Sequence, residues 1–450
     1  MATTYCTQTP ASNGNLRTFT ISFWIKRGKI GAASGQSQQI IGQTVDQYFR
    51  IMCKDDNTIR CYDQSGFNFI TNKKFNDINS WYHVVLRIDT TQSTEADRAR
   101  LYVNGVLETD YGTQTYPALN VELHFNRASI HSIGRSSSSG GYDYLEGSLS
   151  EFCFIDGGSL GPDSFGETDT QTGQWRLKEL AANAFTWGTN GFRILNNGNS
   201  VTDSSTNSNN WTAYGSLTNS LDCPSNVFAT WNTLSTVSYK QSAGGYLSFL
   251  NGNTRIYENG GQYKNAPSTL GAFTGKYYFE TKMISPNGSL AESTYVGVIT
   301  AGDVQNIGDN YNYVGQTANS VAYNSYAGQV FTSGSGTSYG ASLVNGDILG
   351  VALDITNLKI YFSKNGVWQN SGDPTSGSTG TGAVSLPSTG DSWLFGGSPR
   401  NSSIESNFGN GYFGTTAVAD NSTTPASTPG TFNYDVPSGY QPLSTKGLNA

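Results

Sequence analysis

The sequence predicts an all-β protein, with two antiparallel β-sandwiches in tandem and little helix. Three observations lead there. Short runs of alternating apolar and polar residues recur at roughly eight-to-twelve-residue spacing, punctuated by Gly, Asn, Asp and Ser, as antiparallel strands packed face to face require. Composition agrees: 53 Gly, 26 Tyr and 22 Phe accompany only 13% charged residues, and helix formers are scarce. Finally, 450 residues exceed one compact core, and roughly 150 residues per domain gives about two or three domains.

In the first segment the strand candidates are "TFTISFWIKR" (18–27), "QQIIGQTV" (38–45), "YFRIMCKD" (48–55), "TIRCYDQ" (58–64), "FNFITNKK" (67–74) and "WYHVVLRIDT" (81–90). "ARLYVNGVLETD" (99–110) then sets Asn-Gly between two alternating runs, the strongest short-range hairpin signal. "SIHSIGRS" (129–136) and "YLEGSLSEFCFIDG" (144–157) follow. A short helix is expected at "GQWRLKELAANAF" (173–185), and "NGFRILNN" (190–197) reads as a returning last strand. The first domain is placed at 1–198. Residues 199–232 turn to Ser, Thr and Asn with little aliphatic content, which predicts a connection.

A second domain is placed at 233–415. Its strands are "GYLSFLNGNTRIYE" (245–258), "GKYYFETKMIS" (275–285), "TYVGVIT" (294–300), "SVAYNSY" (320–326), "GDILGVALDIT" (346–356), "LKIYFSKNGVWQ" (358–369), "SWLFGGSP" (392–399) and "SIESNFG" (403–409). Loops such as "TSGSGTSYGAS" (332–342) and "PTSGSTGTGAVS" (374–385) exceed minimal turns, and long loops on a rigid sandwich carry binding. Residues 416–450 form a Pro-punctuated tail expected to lie extended on a neighbouring molecule.

The totals exclude several classes. The net charge is −7, with 17 Lys and Arg against 19 Asp and Glu in residues 1–200, and no cluster of basic residues marks a nucleic-acid footprint. The five cysteines are odd in number and form no CxxC pair, so reduced, partly buried thiols are expected rather than a disulfide framework or zinc site. No window approaches the ~18 apolar residues of a membrane span, and the first residues lack a signal-peptide pattern. A soluble chain made in the cytoplasm is expected.

"TFTISFWIKRG…WYHVVLRIDT…ARLYVNGVLE…SIGRS…LEGSLSEFCFIDG" resembles the laminin-G branch of the concanavalin A-like lectin and glucanase superfamily, over about residues 15–160. "GKYYFETKM…YVGVIT…NGDILGVALDITNLKIYFSKNGVWQ" resembles a SPRY domain, over about 235–412. "GTNGFRIL…DSSTNSNNWT…CPSNVFATWN" with "VPSGYQPLSTKGL" is similar to the joint and tail of concanavalin-like proteins of tailed phages, especially marine ones, with Cys223 and Val227 as departures from that pattern. The resemblance implies a scaffold rather than an activity.

Glucanases of this fold carry acidic residues two apart on one strand. The nearest equivalent, Glu146 and Glu151, is five apart and falls on opposite faces of a regular strand, out of reach of a shared substrate unless a bulge intervenes. His83, His124 and His131 are the only histidines; His83 sits inside a strand pattern, and His131 has no Gly-x-Ser-x-Gly elbow or obvious orienting acid nearby. No enzyme is expected, and no cofactor. Relatives often hold calcium; Asp303, Asp309 and Asn310 offer oxygen ligands at a spacing that matches no calcium loop, and turn-capping is the alternative role. The binding candidates are Tyr311, Tyr313, Tyr323 and Tyr326, tyrosines in polar surroundings suited to sugar rings and protein partners alike. Trp81, Trp368 and Trp393 are expected in the core.

The expected function is that of a non-enzymatic phage virion surface protein, a fibre, spike or capsid appendage that contacts host-surface glycan or protein. It would associate with itself and with other virion proteins, without nucleic-acid binding or membrane insertion. A structural cement without host ligand and a polysaccharide depolymerase are the alternatives.

Overall fold

The structure, a computed structural model, describes residues 4–30, 37–43, 48–136, 144–170, 172–196, 198, 200–235, 247–285, 294–307, 312–419, 422–424 and 428–449. The chain divides into an N-terminal unit, 1–219 with 223–225, and a C-terminal unit, 220–222 with 226–450. Each is an antiparallel β-sandwich. Among the described residues no helix is long and apolar enough to cross a membrane.

In the N-terminal unit the strands are β1 (Tyr5–Gln8), β2 (Thr18–Arg27), β3 (Gln38–Gln43), β4 (Phe49–Cys53), β5 (Thr58–Asp63), β6 (Phe67–Lys74), β7 (Tyr82–Asp89), β8 (Ala99–Val103), β9 (Val106–Leu107), β10 (Tyr111–Thr115), β11 (His131–Ile133), β12 (Gly147–Asp156), β13 (Gly166–Thr168), β14 (Trp175–Leu177), β15 (Phe192–Ile194) and β16 (Thr212–Tyr214). One sheet runs β10-β6-β5-β4-β3-β11-β1-β16, the other β15-β12-β2-β7-β8-β9. Alternation fills the space between them. Phe19, Ile21, Phe23 and Ile25 of β2 face Ile51, Cys61, Phe67 and Phe69 of the opposite sheet in one apolar cluster. Trp81 is also buried.

The helix expected at 173–185 is absent. β14 occupies its start, paired with β13, and turns follow. Tertiary capture overrides local helix preference here. The Trp175 indole donates to His83 Nδ1 at 3.0 Å, and its ring lies so close to Gly105 and Gly166 that a Cβ at either would come within 2.5 Å of it. Phe165 and Trp187 pack with Val85, Cys153 and Ile155, so this segment covers the outer face of the six-stranded sheet.

The Ser/Asn/Thr-rich stretch is ordered rather than a bare connection. Trp211 enters the core and meets Phe192 edge-on at 5.0 Å, and β16 completes the eight-stranded sheet. With Val201 its one aliphatic residue, the loop before it is organised largely by side-chain hydrogen bonds. The Asp203 carboxylate accepts from the N–H groups of Arg193, Ser205 and Asn209 at 2.8, 2.9 and 2.7 Å.

The C-terminal unit comprises β17 (Ser248–Leu250), β18 (Arg255–Glu258), β19 (Ala266–Ala272), β20 (Lys276–Ile284), β21 (Tyr295–Thr300), β22 (Ser320–Asn324), β23 (Gln329–Thr332), β24 (Ser335–Ser338), β25 (Ile348–Asp354), β26 (Lys359–Lys364), β27 (Val367–Trp368), β28 (Val384–Ser385), β29 (Trp393–Ser398), β30 (Ser402–Asn407), β31 (Tyr412–Phe413), β32 (Thr416–Ala417), β33 (Ser422–Thr423), β34 (Thr431–Phe432), β35 (Gln441–Pro442) and one short helix, α1 (Thr445–Leu448). Its two sheets run β17-β18-β30-β20-β25-β26-β27 and β19-β29-β21-β22-β23-β24. Trp231, Phe279, Trp393, Phe395 and Phe408 dominate the core between them, while Trp368 is only partly buried, against Tyr278 and Tyr361.

The tail does not wait for a neighbour: it packs on its own unit. β35 pairs in parallel with β20, and Phe432 and Tyr440 join Tyr278 and Tyr361 in an apolar cluster. The Glu280 carboxylate holds this strap, accepting from the N–H groups of Asn433 and Tyr434 at 2.7 and 2.8 Å and from the Tyr278 hydroxyl at 3.1 Å. Its burial outweighs these donors and raises its pKa from 4.5 to about 7. Between those values the folded unit keeps a proton that the unfolded chain has released. Stability from this group is therefore complete below about pH 4.5 and falls, by on the order of 3 kcal/mol, as pH rises through 7. Urea unfolding at pH 5 and pH 8, followed by footprinting of the Phe228–Trp231 segment, should give a lower midpoint at pH 8, and Glu280→Gln should remove most of that difference. An unchanged slope in the variant would assign the pH dependence elsewhere.

Candidate functional site

Inward residues of β4, β5 and β6 are Phe49, Ile51, Ile59, Cys61, Phe67 and Phe69, all nearly or fully buried. Strand alternation therefore turns Arg50, Arg60, Tyr62 and Asn68 to the open face of the eight-stranded sheet, where all four are half-buried. Register brings them together: Arg50 lies opposite Tyr62, and Tyr62 opposite Asn68. The Arg60 guanidinium sits 4.5 Å and that of Arg50 5.8 Å from the Tyr62 ring centre. Arg60 Nε donates to Asn68 Oδ1 at 2.9 Å.

The rim of this platform is a fixed histidine. Asp63, whose side chain is fully buried, accepts from His124 N at 2.8 Å and from Ser65 N at 2.9 Å, and meets His124 Nδ1 at 2.9 Å. The carboxylate directs Nδ1–H inward and leaves Nε2 outward, while the ring lies 4.7 Å from that of Tyr48. None of these residues except His124 drew attention in the sequence.

The tyrosines singled out there separate. Tyr313 stacks on Tyr295 at 3.9 Å and joins Tyr263 and Phe331 in a cluster on the outer face of the other unit's six-stranded sheet. Arg400 lies over Tyr263 at 5.3 Å. Tyr323 is a correction: it is fully buried between the sheets, packed on Phe362, with its hydroxyl donating to the Ala341 carbonyl. Its alternation within β22 points it into the core, where no ligand reaches its ring. Tyr326 is 60% exposed on the following turn. Tyr311 lies outside the described residues, as do Asp309 and Asn310. Asp303 accepts from Asn306 Nδ2 at 2.9 Å and from Asn319 N at 3.3 Å, a local capping role. Among the described residues no three His, Cys, Asp or Glu side chains are grouped to hold a metal.

One pair has the look of a nucleophile and base. Ser22 Oγ is 2.9 Å from His83 Nε2. An indole N–H can only donate, so Trp175 makes Nδ1 the acceptor and puts the neutral ring's proton on Nε2, directed at Ser22. That tautomer cannot withdraw the serine proton. Burial also lowers the His83 pKa to about 3. His131 is occupied too: Nε2 accepts from Asn126 N at 3.2 Å, Nδ1 donates to Ser129 O at 2.8 Å, and burial lowers its pKa to about 4. The acidic pair is split as well. Pairing of β12 with β2 shifts between Ser150 and Cys153, so the bulge exists, with Glu151 at φ +50°. Glu151 nevertheless binds Arg193 at 2.9 Å, and Glu146 faces Lys29 at 3.5 Å.

Comparison with known proteins gives a family for each part. Residues 2–164 match the concanavalin A-like lectin/glucanases superfamily and residues 276–384 match the SPRY domain. Solved structures that align with parts of the chain include the SPRY domain of human HERC1 (17% identity, 34% of this chain and 86% of that one, TM-score 0.27) and a human SPRY domain (16%, 37% and 96%, 0.26). A Bacteroides ovatus protein named as a candidate carbohydrate-binding protein aligns at 17% identity over 48% of this chain and 56% of its own, with a TM-score of 0.33.

Proposed function

We propose that this chain, an N-terminal concanavalin A-like domain followed by a C-terminal SPRY domain, binds surface glycan without chemically altering it. The observation that carries the reading is the Arg50–Arg60–Tyr62–Asn68 platform on the open sheet face of the lectin-like domain. The half-buried Tyr62 ring, its hydroxyl and the guanidinium groups over it form a mixed apolar and polar surface suited to a pyranose. The tautomer imposed on His83 and the separate neutralisation of Glu146 and Glu151 favour binding over hydrolysis.

We further place the protein on the surface of a tailed-phage particle, as a fibre, spike or capsid appendage. The support is the pairing of domains together with the phage-like joint and tail segments. Many copies per particle raise avidity by about 10²–10⁴, so a shallow platform of this kind suffices.

Purified full-length protein should bind host-surface polysaccharide on a biosensor, and Tyr62→Ala should weaken that binding about tenfold with the melting temperature held. Equal binding by the variant sinks the platform reading. New reducing ends after incubation with the glycan would favour the depolymerase. A gene deletion that lowers particle stability while leaving adsorption intact would favour the cement.

A further inference from the structure

We infer that the ligand of this platform is an anionic glycan, a polymer of sugars bearing carboxylate or sulfate groups. The inference rests on the glycan reading above and adds the charge class. Its basis is an imbalance between donors and acceptors. Among the described residues, Nη1 and Nη2 of Arg60, Nδ2 of Asn68 and the hydroxyls of Tyr48 and Tyr62 have no hydrogen-bond partner. The amide and carboxylate acceptors are already used, and His124 Nε2 at the rim remains an acceptor. Asn68 Oδ1 is taken by Arg60 Nε, and the Asp63 carboxylate is buried beneath its donors. None of the outward positions on β4, β5 or β6 is Asp or Glu.

A neutral sugar hydroxyl both donates and accepts and can be met by the Tyr48 and Tyr62 hydroxyls, whereas the Arg60 Nη groups and Asn68 Nδ2 only donate. A carboxylate or sulfate only accepts, and a guanidinium with both Nη groups free matches it bidentately. The geometry also prepares the charge: Arg60 is anchored through Nε and rests on Tyr62, which fixes the plane of the fork without occupying its ends. Because the chain as a whole carries −7, this donor face is a local feature rather than part of a general attraction for polyanions.

The test uses the full chain and matched probes: polygalacturonate and its carboxyl-reduced product, dextran sulfate and dextran. At least one charged polymer should bind about tenfold more tightly than its uncharged counterpart, and Arg60→Gln should abolish that preference. Arg176→Gln, which removes a cation on a separate hairpin paired with Glu167, should leave it intact. Binding of polygalacturonate alone assigns carboxylate, and of dextran sulfate alone sulfate. Equal affinity for charged and uncharged partners, or an unchanged preference in Arg60→Gln, overturns the inference while leaving glycan binding in place. No binding to any of the four removes both. Displacement by single-stranded DNA at equal charge would overturn the inference in favour of a generic polyanion site.

Discussion

Acidification from pH 7 to pH 4 should unfold the lectin-like domain and leave the SPRY unit folded. His83 and His131 are buried and neutral, with pKa values pushed down to about 3 and about 4. The unfolded chain binds a proton at each near 6.5. Their contribution is complete above that pH and drains away as the pH falls through the folded values. At pH 4 the two together cost on the order of 6 kcal/mol, comparable with the whole stability of a typical domain at about 5–15 kcal/mol. Glu151, raised by its own burial, opposes this in the same domain. Glu280 works in the opposite direction in the SPRY unit, which is why the two should part company. Limited proteolysis across the pH range, with fragments identified by mass, should show cleavage within residues 18–214 first, and His131→Gln should shift that onset to lower pH. Simultaneous loss of both units would contradict the assignment.

Replacing Glu151 should strongly destabilise the N-terminal domain. Its carboxylate meets both Nε and Nη2 of Arg193 at 2.9 Å, with each side chain only 9% exposed. Removing one partner strands a buried cation, at a cost of about 3–5 kcal/mol. Glu151→Ala should lower the urea midpoint accordingly, whereas the double change Glu151→Met with Arg193→Met should recover most of the loss, because no charge is then left behind. If the double variant is as weak as the single one, the cost lies in packing. Loss of any glycan-degrading activity in a Glu151 variant could not be read as catalysis until folding had been checked.

The strands were legible because alternation is a local property. So were the hairpins: Asn104-Gly105 and Asn365-Gly366 take positive φ at both central residues, as the tight turn between twisted strands demands, while Asn251-Gly252 opens a four-residue loop between Leu250 and Arg255. The platform was not legible. "TIRCYDQ" shows that Arg60 and Tyr62 share a face, but whether that face meets solvent, as it does here, or lies under a covering segment, as it does for Ser22 and Trp24, depends on residues far along the chain. Tyr295 and Tyr263 escaped notice for the same reason, since only folding brings them to Tyr313. The expected helix failed where Trp175 found a better partner in His83 than in its own turn. Tyr323 misled because a polar neighbourhood in sequence, "YNSY", says nothing of which side of a strand is inside.

The strap has a consequence for how the molecule is made. Ala229 N donates to Leu443 O at 2.9 Å, and Val227 N to Thr445 Oγ1 across 218 residues. The edge of the SPRY core is thus closed by residues made 218 positions after the segment they cover. The lectin-like domain has all its strands once β16 emerges, and at about 5–20 residues per second it has roughly ten seconds or more to settle before its successor can close. During that interval Tyr278 and Tyr361 lack the cover of Phe432 and Tyr440. The core edge of the second unit therefore stays open until the strap residues have been made.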